Sequence, residues 1–431
     1  MMLGIWFGAG TIDTKPVDLP AGAVVTQTSS GKSATWTVKI DGRQTEYAAT
    51  DGYRFVEDRR GKRVELVERL DAPAGSMVAE TKVTLKDREG RDEEQGAYVF
   101  RAGNVDSAPY MFANGWTADE TNSGLERPVQ VSKFLNKENL VLVLTTSSFF
   151  GIMAVGMTLI IVMGGIDLSI GSIYAVAMVA GALALRALES GASGQAVSAP
   201  VALGVAVLVS TSVGALCGLV NGVSIVGLRV HPFIITLGGM AVYRGIAFVL
   251  SKGESIGGFP QAFRDVVRFE ISGINPVPAL VMVAVGLVGA FVASKTTFGR
   301  RTFAIGGNEV AARYAGVPVG AVKIALFTIG GVVAGLAAAI GLGYFGSATS
   351  DSARGYELGV IAAAVVGGAS LSGGRGSILG AVLGAIIIQL IENGFDVLGY
   401  NTNYKQIVLG LAIILAVLVD QSKQRWFGAR R

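Results

Sequence analysis

The residues of this sequence that could do chemistry are polar side chains set inside long apolar runs. Asp167 and Ser169 lie in the break Gly164-Gly165-Ile166-Asp167-Leu168-Ser169, between two apolar stretches that fill residues 151–178. Their side chains are of the kind that accepts the unpaired N–H groups at the start of a helix. Asn221 and Thr236 sit in the next two apolar runs, where each either lines a polar path or ties neighbouring helices together by hydrogen bonds. Arg244 lies well inside the second of these runs. A cation at such depth in a bilayer is costly, so it either faces a cavity or partner or extends to the interface.

No nucleophile, base and acid come together in a catalytic pattern. A phosphate-binding loop needs a glycine five residues before its Gly-Lys-Ser. The closest match, Gly31-Lys32-Ser33, has Thr26 at that place. A single cysteine, Cys217, and a single histidine, His231, exclude an internal disulfide, a multi-cysteine metal site and a His-rich metal centre. The reading is therefore a non-enzymatic chain with no cofactor and no bound metal.

The composition explains where such residues can sit. Of 431 residues, 51% are hydrophobic and 16% charged, against the roughly 25% charged usual in soluble domains. The charge is divided unevenly. Residues 11–135 hold 17 Lys/Arg and 20 Asp/Glu, and the remainder holds 19 and 12. The basic balance thus belongs to the apolar part, where it marks cytoplasmic loops and not nucleic-acid binding. Sixty glycines in such a chain fit close helix packing in lipid.

Two regions follow. Residues 13–133 are polar and strand-like: residues 34–40 alternate with period two, Asp41-Gly42 suits a hairpin turn, and residues 43–47 return. Residues 82–86 and 97–100 suggest a second pair around a charged tip at 87–95, and residues 103–128 read as a linker. From 134 to 422 the chain reads as spans near 139–164, 168–186, 200–226, 232–250, 276–294, 321–345, 356–372, 377–393 and 404–420. Residues 1–12 are apolar but short, and read as the end of a first span. The expected fold is an all-α polytopic membrane protein of about nine or ten helices, with a small β-rich insert near its N-terminus.

Loop charges orient this chain. Arg229, Lys295, Arg300, Arg301, Arg313, Lys323, Arg375 and the basic tail 423–431 fall in one set of loops, whereas the opposite loops mix signs. The first set is expected inside, which places the C-terminus inside and residues 13–133 outside. The most polar inside loop is 295–318. There Asn308 can cap a short helix, Glu309 falls in its first turn, Ala311, Ala312 and Ala315 give it a small face, and Gly316 ends it. An internal echo also appears: Gly164-Gly165-x-x-Leu168-Ser169 matches Gly367-Gly368-x-x-Leu371-Ser372, each followed by Gly-Ser-Ile. It is compatible with duplicated units or with chance recurrence of glycine-rich breaks.

Four segments carry a resemblance: GGIDLSIGS (164–172), VHPFIITLGGMAVYRG (230–245), the loop Gly307-Asn308-Glu309-x-Ala311-Ala312-x-x-x-Gly316, and GGASLSGGRGSILGAVLGA (367–385). Together they closely resemble permease subunits of bacterial ABC importers for monosaccharides, the ribose, xylose and arabinose type. The resemblance spans about 134–420. It implies a pathway through the inner membrane built by two permease copies, a separate cytoplasmic ATPase subunit and an external sugar-binding protein. It also implies that Gly307, Asn308, Glu309, Ala311, Ala312, Arg313 and Gly316 form the loop that couples to the ATPase. Residues 11–135 depart from the family pattern, in which the corresponding loop is short. A branched-chain amino acid permease and a single-chain secondary transporter are the alternative readings, and residues 11–135 could be a sensor or docking module.

Overall fold

A computed structural model describes residues 134–191, 197–271 and 273–398 continuously, helical residues between 404 and 418, and the strand residues of the N-terminal part with a few beside them. The chain divides into two compact units, Met1–Asn136 and Lys137–Arg431.

The first unit carries antiparallel strands. Thr35–Ile40 pairs with Arg43–Ala48 in the register Ile40↔Arg43, which is the hairpin that Asp41-Gly42 predicts. Met77–Lys86 pairs with Asp92–Ala102. The second strand therefore begins at Asp92, inside the stretch read as a charged tip, and Lys82 meets Glu94 across it at 3.1 Å. The linker reading of 103–128 is corrected. Gly124–Pro128 pairs with Gly61–Asp71, and Leu125 is fully buried beside Phe100, Leu70 and Tyr110. One buried leucine among polar neighbours is a weak signal in sequence, yet it is what anchors that strand. Of residues 1–12, only Ile12 is described. It begins the strand Ile12–Thr14, which pairs with Gln130–Ser132.

The second unit is helical: α1 (Lys137–Val162), α2 (Ile170–Gly191), α3 (Ala199–Leu228), α4 (Pro232–Ser251), α5 (Gln261–Val267), α6 (Val277–Lys295), α7 (Thr297–Gly307), α8 (Glu309–Tyr314), α9 (Val319–Phe345), α10 (Tyr356–Val366) and α11 (Ile378–Val397). Among the described residues seven are long and apolar enough to cross a membrane: α1, α2, α3, α4, α6, α9 and α11. Of the nine expected spans one differs and one is described only in part. The one expected at 356–372 is α10, whose 11 residues reach only about 16 Å. It stops at Gly367 and Gly368, the latter at φ +98°. The one expected at 404–420 is helical over 404–412 and at 414, 415 and 418, and its other residues lie outside those described.

The core of this unit is built mainly from buried apolar residues of α1, α2 and α9. Small residues set how near α3 and α9 come. A Cβ on Gly214 would lie 2.2 Å from the Gly331 carbonyl oxygen, and one on Gly331 would lie 2.0 Å from the Gly214 carbonyl oxygen. Here the two backbones touch, and only glycine fits between them.

The helix breaks meet at one point. The Val162 carbonyl, at the end of α1, accepts the Gly374 N–H at 2.7 Å, and a Cβ on Gly306 of α7 would fall 1.7 Å from the same oxygen. The breaks after α1 and α10 share one geometry. Gly164 N–H bonds Ile161 O and Gly165 N–H bonds Ile160 O; Gly368 N–H bonds Val365 O and Ala369 N–H bonds Ala364 O. The positive-φ residues are Gly164 and Gly368. The sequence echo pairs Gly164 with Gly367, so the repeated letters and the repeated geometry are out of step by one residue.

Gly331→Val should force α3 and α9 apart and cost about 1–3 kcal/mol or more, the range for overpacking a tight site. Gly204→Val, where a Cβ meets nothing within 4 Å, should leave thermal stability in detergent unchanged. Equal melting temperatures for the two variants would refute the close-contact reading.

Candidate functional site

The polar residues that the sequence presents separately form one seam. Asp167 Oδ1 accepts the Ser169 N–H at 2.8 Å and the Ser169 hydroxyl at 2.6 Å. Asn221 of α3 donates its side-chain amide to Ser169 Oγ at 2.8 Å. Tyr243 of α4 donates to Asn221 Oδ1 at 2.8 Å and lies 3.0 Å from the Cys217 carbonyl. Thr236, two turns earlier on α4, reaches the Ile166 carbonyl at 3.3 Å. Asp167, Ser169, Asn221 and Thr236 are all buried. The unwound stretch 163–169 is buried or half-buried in protein except at Gly164, which is exposed.

This refines the capping expectation. Asp167 does accept an N–H at the start of α2, that of Ser169. The Ser169 hydroxyl does not cap; it donates to Asp167 and accepts from Asn221. Asp167 Oδ2 is buried with no hydrogen-bond partner among the described residues. Tyr243 is the member that sequence reading missed. Its signal was its spacing: Thr236 and Tyr243 are seven residues apart, hence on one face of α4.

Arg244 is half-buried and does not join the seam. Its guanidinium donates to the Ser350 carbonyl at 2.8 Å and the Ser352 carbonyl at 2.7 Å, fixing the loop that leads into α10. In this conformation Asn221 ties α3 to α4, Thr236 ties α4 to the break between α1 and α2, and Arg244 clamps a loop.

The segment 295–318 is more ordered than a loop with one short helix. Thr296 caps α7 by accepting the Gly299 N–H at 3.1 Å, and Gly299, Thr302 and Ile305 turn one buried face inward at three-residue spacing. That spacing was the signal for α7. Then Asn308 accepts the Ala311 N–H at 2.9 Å and starts α8, as its residue type predicts. Gly316, at φ +80°, ends the turn, and Val317 N–H bonds the Ala312 carbonyl at 3.0 Å. The small face of α8 is corrected: Ala312 is buried, and the exposed face is Val310, Ala311, Tyr314 and Ala315, with Tyr314 at 90% exposure. Gly307 is exposed at the junction of α7 and α8.

Glu309 fixes α8 to the bundle. It meets Lys323 of α9 at 2.8 Å and Arg313 at 3.1 Å. The hydrogen bond from Lys323, helped by Arg313, holds the Glu309 carboxyl below its ordinary range. Among the described residues no three His, Cys, Asp or Glu side chains gather as a metal site would require.

The family of the branched-chain amino acid transport system permease component matches residues 139–417. The chain belongs to this family. It is 40% identical to the ribose import permease protein RbsC of Bacillus subtilis (strain 168) over 292 residues, covering 67% of this chain and 87% of that protein. It is 39% identical over 297 residues to the RbsC protein of Escherichia coli (strain K12), covering 68% and 88%. The D-allose transport system permease protein AlsC of the same strain is 35% identical over 289 residues, covering 67% and 85%. No solved structure matches. The family match begins within α1, so the unit Met1–Asn136 lies outside it.

Two measurements check this site. A double-mutant cycle of Asn221→Ala and Tyr243→Phe should show non-additive losses, with a coupling of about 0.6–1.7 kcal/mol as for other interhelical bonds in membranes; additive losses would mean that the two side chains do not share a bond. For Glu309 the sign follows from its lowered value. Its stabilisation is present above the ordinary glutamate range of about 4.3 and lost as pH falls through the depressed folded value. Exchange protection over residues 309–316 should therefore drop only at acid pH, by an amount worth at most about 1 kcal/mol because the pair is partly exposed. In Glu309→Gln it should already be low at neutral pH.

Proposed function

We propose that the chain is the permease subunit of an ABC importer, carrying a monosaccharide across the bacterial inner membrane while a separate subunit hydrolyses ATP. What carries this reading is the 40% identity over 292 residues to a ribose import permease, with an allose permease at 35%. The polar seam agrees with it. Hydroxyl and carboxamide groups on three elements, Ser169, Asn221 and Thr236, are the groups that a polyol can replace one for one. On this reading Asn221 and Thr236 border the pathway, closed here by the bond between Asn221 and Tyr243 and by that of Thr236 to the Ile166 carbonyl, and Arg244 holds the loop that shapes its other half. Glycines Gly164 and Gly165 supply the break that lets the seam exist.

The residues from Gly307 to Gly316 form the ATPase contact, with α8 as the docking helix. Sidedness follows from charge. Arg229, Arg313 and Lys323 gather at one end of the bundle around α8. Arg268 and Glu270 gather with Tyr344 at the far end of α9, about 30 Å or more away along that helix. The basic end is cytoplasmic. Residues 13–133 then form a β-rich extracytoplasmic domain, a second permease copy completes the pathway, and an external sugar-binding protein delivers the substrate.

Purified with its ATPase subunit, the chain should show ATPase activity stimulated by sugar-loaded binding protein. Tyr314→Ala should weaken ATPase association by about thirty-fold, the scale of an aromatic anchor. Uptake in vesicles that lack any ATPase subunit would sink the reading in favour of a secondary transporter. Stimulation by a branched-chain amino acid receptor, and not a sugar receptor, would reassign the substrate.

A further inference from the structure

At the α8 end of the bundle, a cavity of about 660 Å³ opens between the α3–α4 junction and the start of α9. Its charged lining is Arg229, Arg313, Lys323 and Glu309. Glu309 is already engaged by two of the cations, so the cavity carries a net positive charge. Two long helices begin at its wall, α4 at Pro232 and α9 at Val319, and each brings the positive end of its dipole. Pro318, at the cap position of α9, offers no side-chain acceptor to the N–H groups that follow. His231, also in the lining, accepts the Phe233 N–H on Nδ1 at 3.3 Å and so caps α4. Cations and two helix N-termini thus converge on a space lined by a single acid.

The surroundings select the source of an anion. Leu228, Phe233 and Ile234, beside the cavity, are exposed at 68%, 43% and 60%. Apolar side chains here continue up the outer faces of α3 and α4, which suit acyl chains and not water. A free anion would leave this apolar rim uncovered; a lipid would cover it.

We propose that this cavity binds the phosphate of an acidic phospholipid headgroup, with the acyl chains lying along Leu228, Phe233 and Ile234. The placement in the inner leaflet rests on the orientation proposed above; the site itself does not. Because Arg313 belongs to α8 and Arg229 to the α3–α4 junction, such a lipid would bridge the docking helix and the helix that carries Thr236 and Tyr243.

The test uses the intact transporter in nanodiscs of phosphatidylglycerol or phosphatidylcholine, read by native mass spectrometry. Phosphatidylglycerol should be retained in preference to phosphatidylcholine. Arg229→Gln should reduce its retention about five-fold, the loss of one basic contact, while Arg186→Gln, outside the cavity, should not. Equal retention by Arg229→Gln and the unaltered chain, no preference between the lipids, or displacement of the lipid by millimolar inorganic phosphate would each overturn the proposal. Labelling of Arg313→Cys with a membrane-impermeant reagent reports separately on sidedness. Reaction from the outer face would refute the cytoplasmic placement and leave the lipid site standing; an altered lipid result cannot arise from that error.

Discussion

The contact on which the helical unit depends is the one between the Val162 carbonyl and the Gly374 N–H. A chain that breaks its helices inside a membrane exposes backbone groups that lipid cannot satisfy. Here the break after α1 is closed against the turn after α10, and Gly306 brings α7 within touching distance of both. One point therefore fixes the end of a core helix, the re-entry that follows α10 and the helix that leads to α8. Any side chain at 306 would intrude between two backbones, so the apparatus around α8 cannot shift without moving the ends of α1 and α10. The seam gains from the same arrangement, because stretch 163–169 is held at both ends and its carbonyls and hydroxyls can face α3 and α4.

How much of this was legible in the sequence depended on whether the signal was local. Seven long helices follow from apolar length alone, and Asn308 and Gly316 announce the ends of α8 by residue type. The Asp41-Gly42 hairpin is equally local. By contrast, 356–372 has the composition of a span but is cut short at Gly367, where α11 lies so close that a Cβ would meet the Gly380 carbonyl carbon at 2.4 Å. No window of sequence contains that encounter. The seam shows the same limit. Asp167, Ser169, Asn221 and Thr236 could each be singled out as polar residues in apolar runs, but their mutual bonds join residues up to 70 positions apart. Tyr243 was passed over because a tyrosine in an apolar helix carries no mark of its own; only a partner on α3 gives its hydroxyl a role. Arg244 was conspicuous by charge and turned out to bind carbonyls more than a hundred residues away.

The first unit teaches a related point about composition. Residues 103–128 hold the asparagines, glycines and prolines of a connecting segment, yet Leu125 and the pairing with Gly61–Asp71 make part of it a strand. Turn-forming residues mark where a chain bends. They do not mark where it stops pairing, since a strand of five residues needs only one well-buried side chain and a neighbour with free edge groups.

The distribution of polar bonds indicates which element can move. α3 is locked to α9 by backbone contact at glycines, a junction with no intermediate position, since separation loses dispersion all along it. α4 is attached differently. Its buried residues are Pro232, Thr236, Tyr243, Ala247 and Ser251, a narrow stripe with three hydroxyls, while Ile234, Val242, Phe248 and Val249 face outward. Hydroxyl bonds can be exchanged for bonds to water or to a polyol at small net cost, whereas glycine contacts have no such substitute. A transport cycle needs one surface of the pathway to part while the scaffold stays closed. The unit is thus divided between a helix, α4, held partly by exchangeable hydroxyl bonds and a helix, α3, held by close glycine packing.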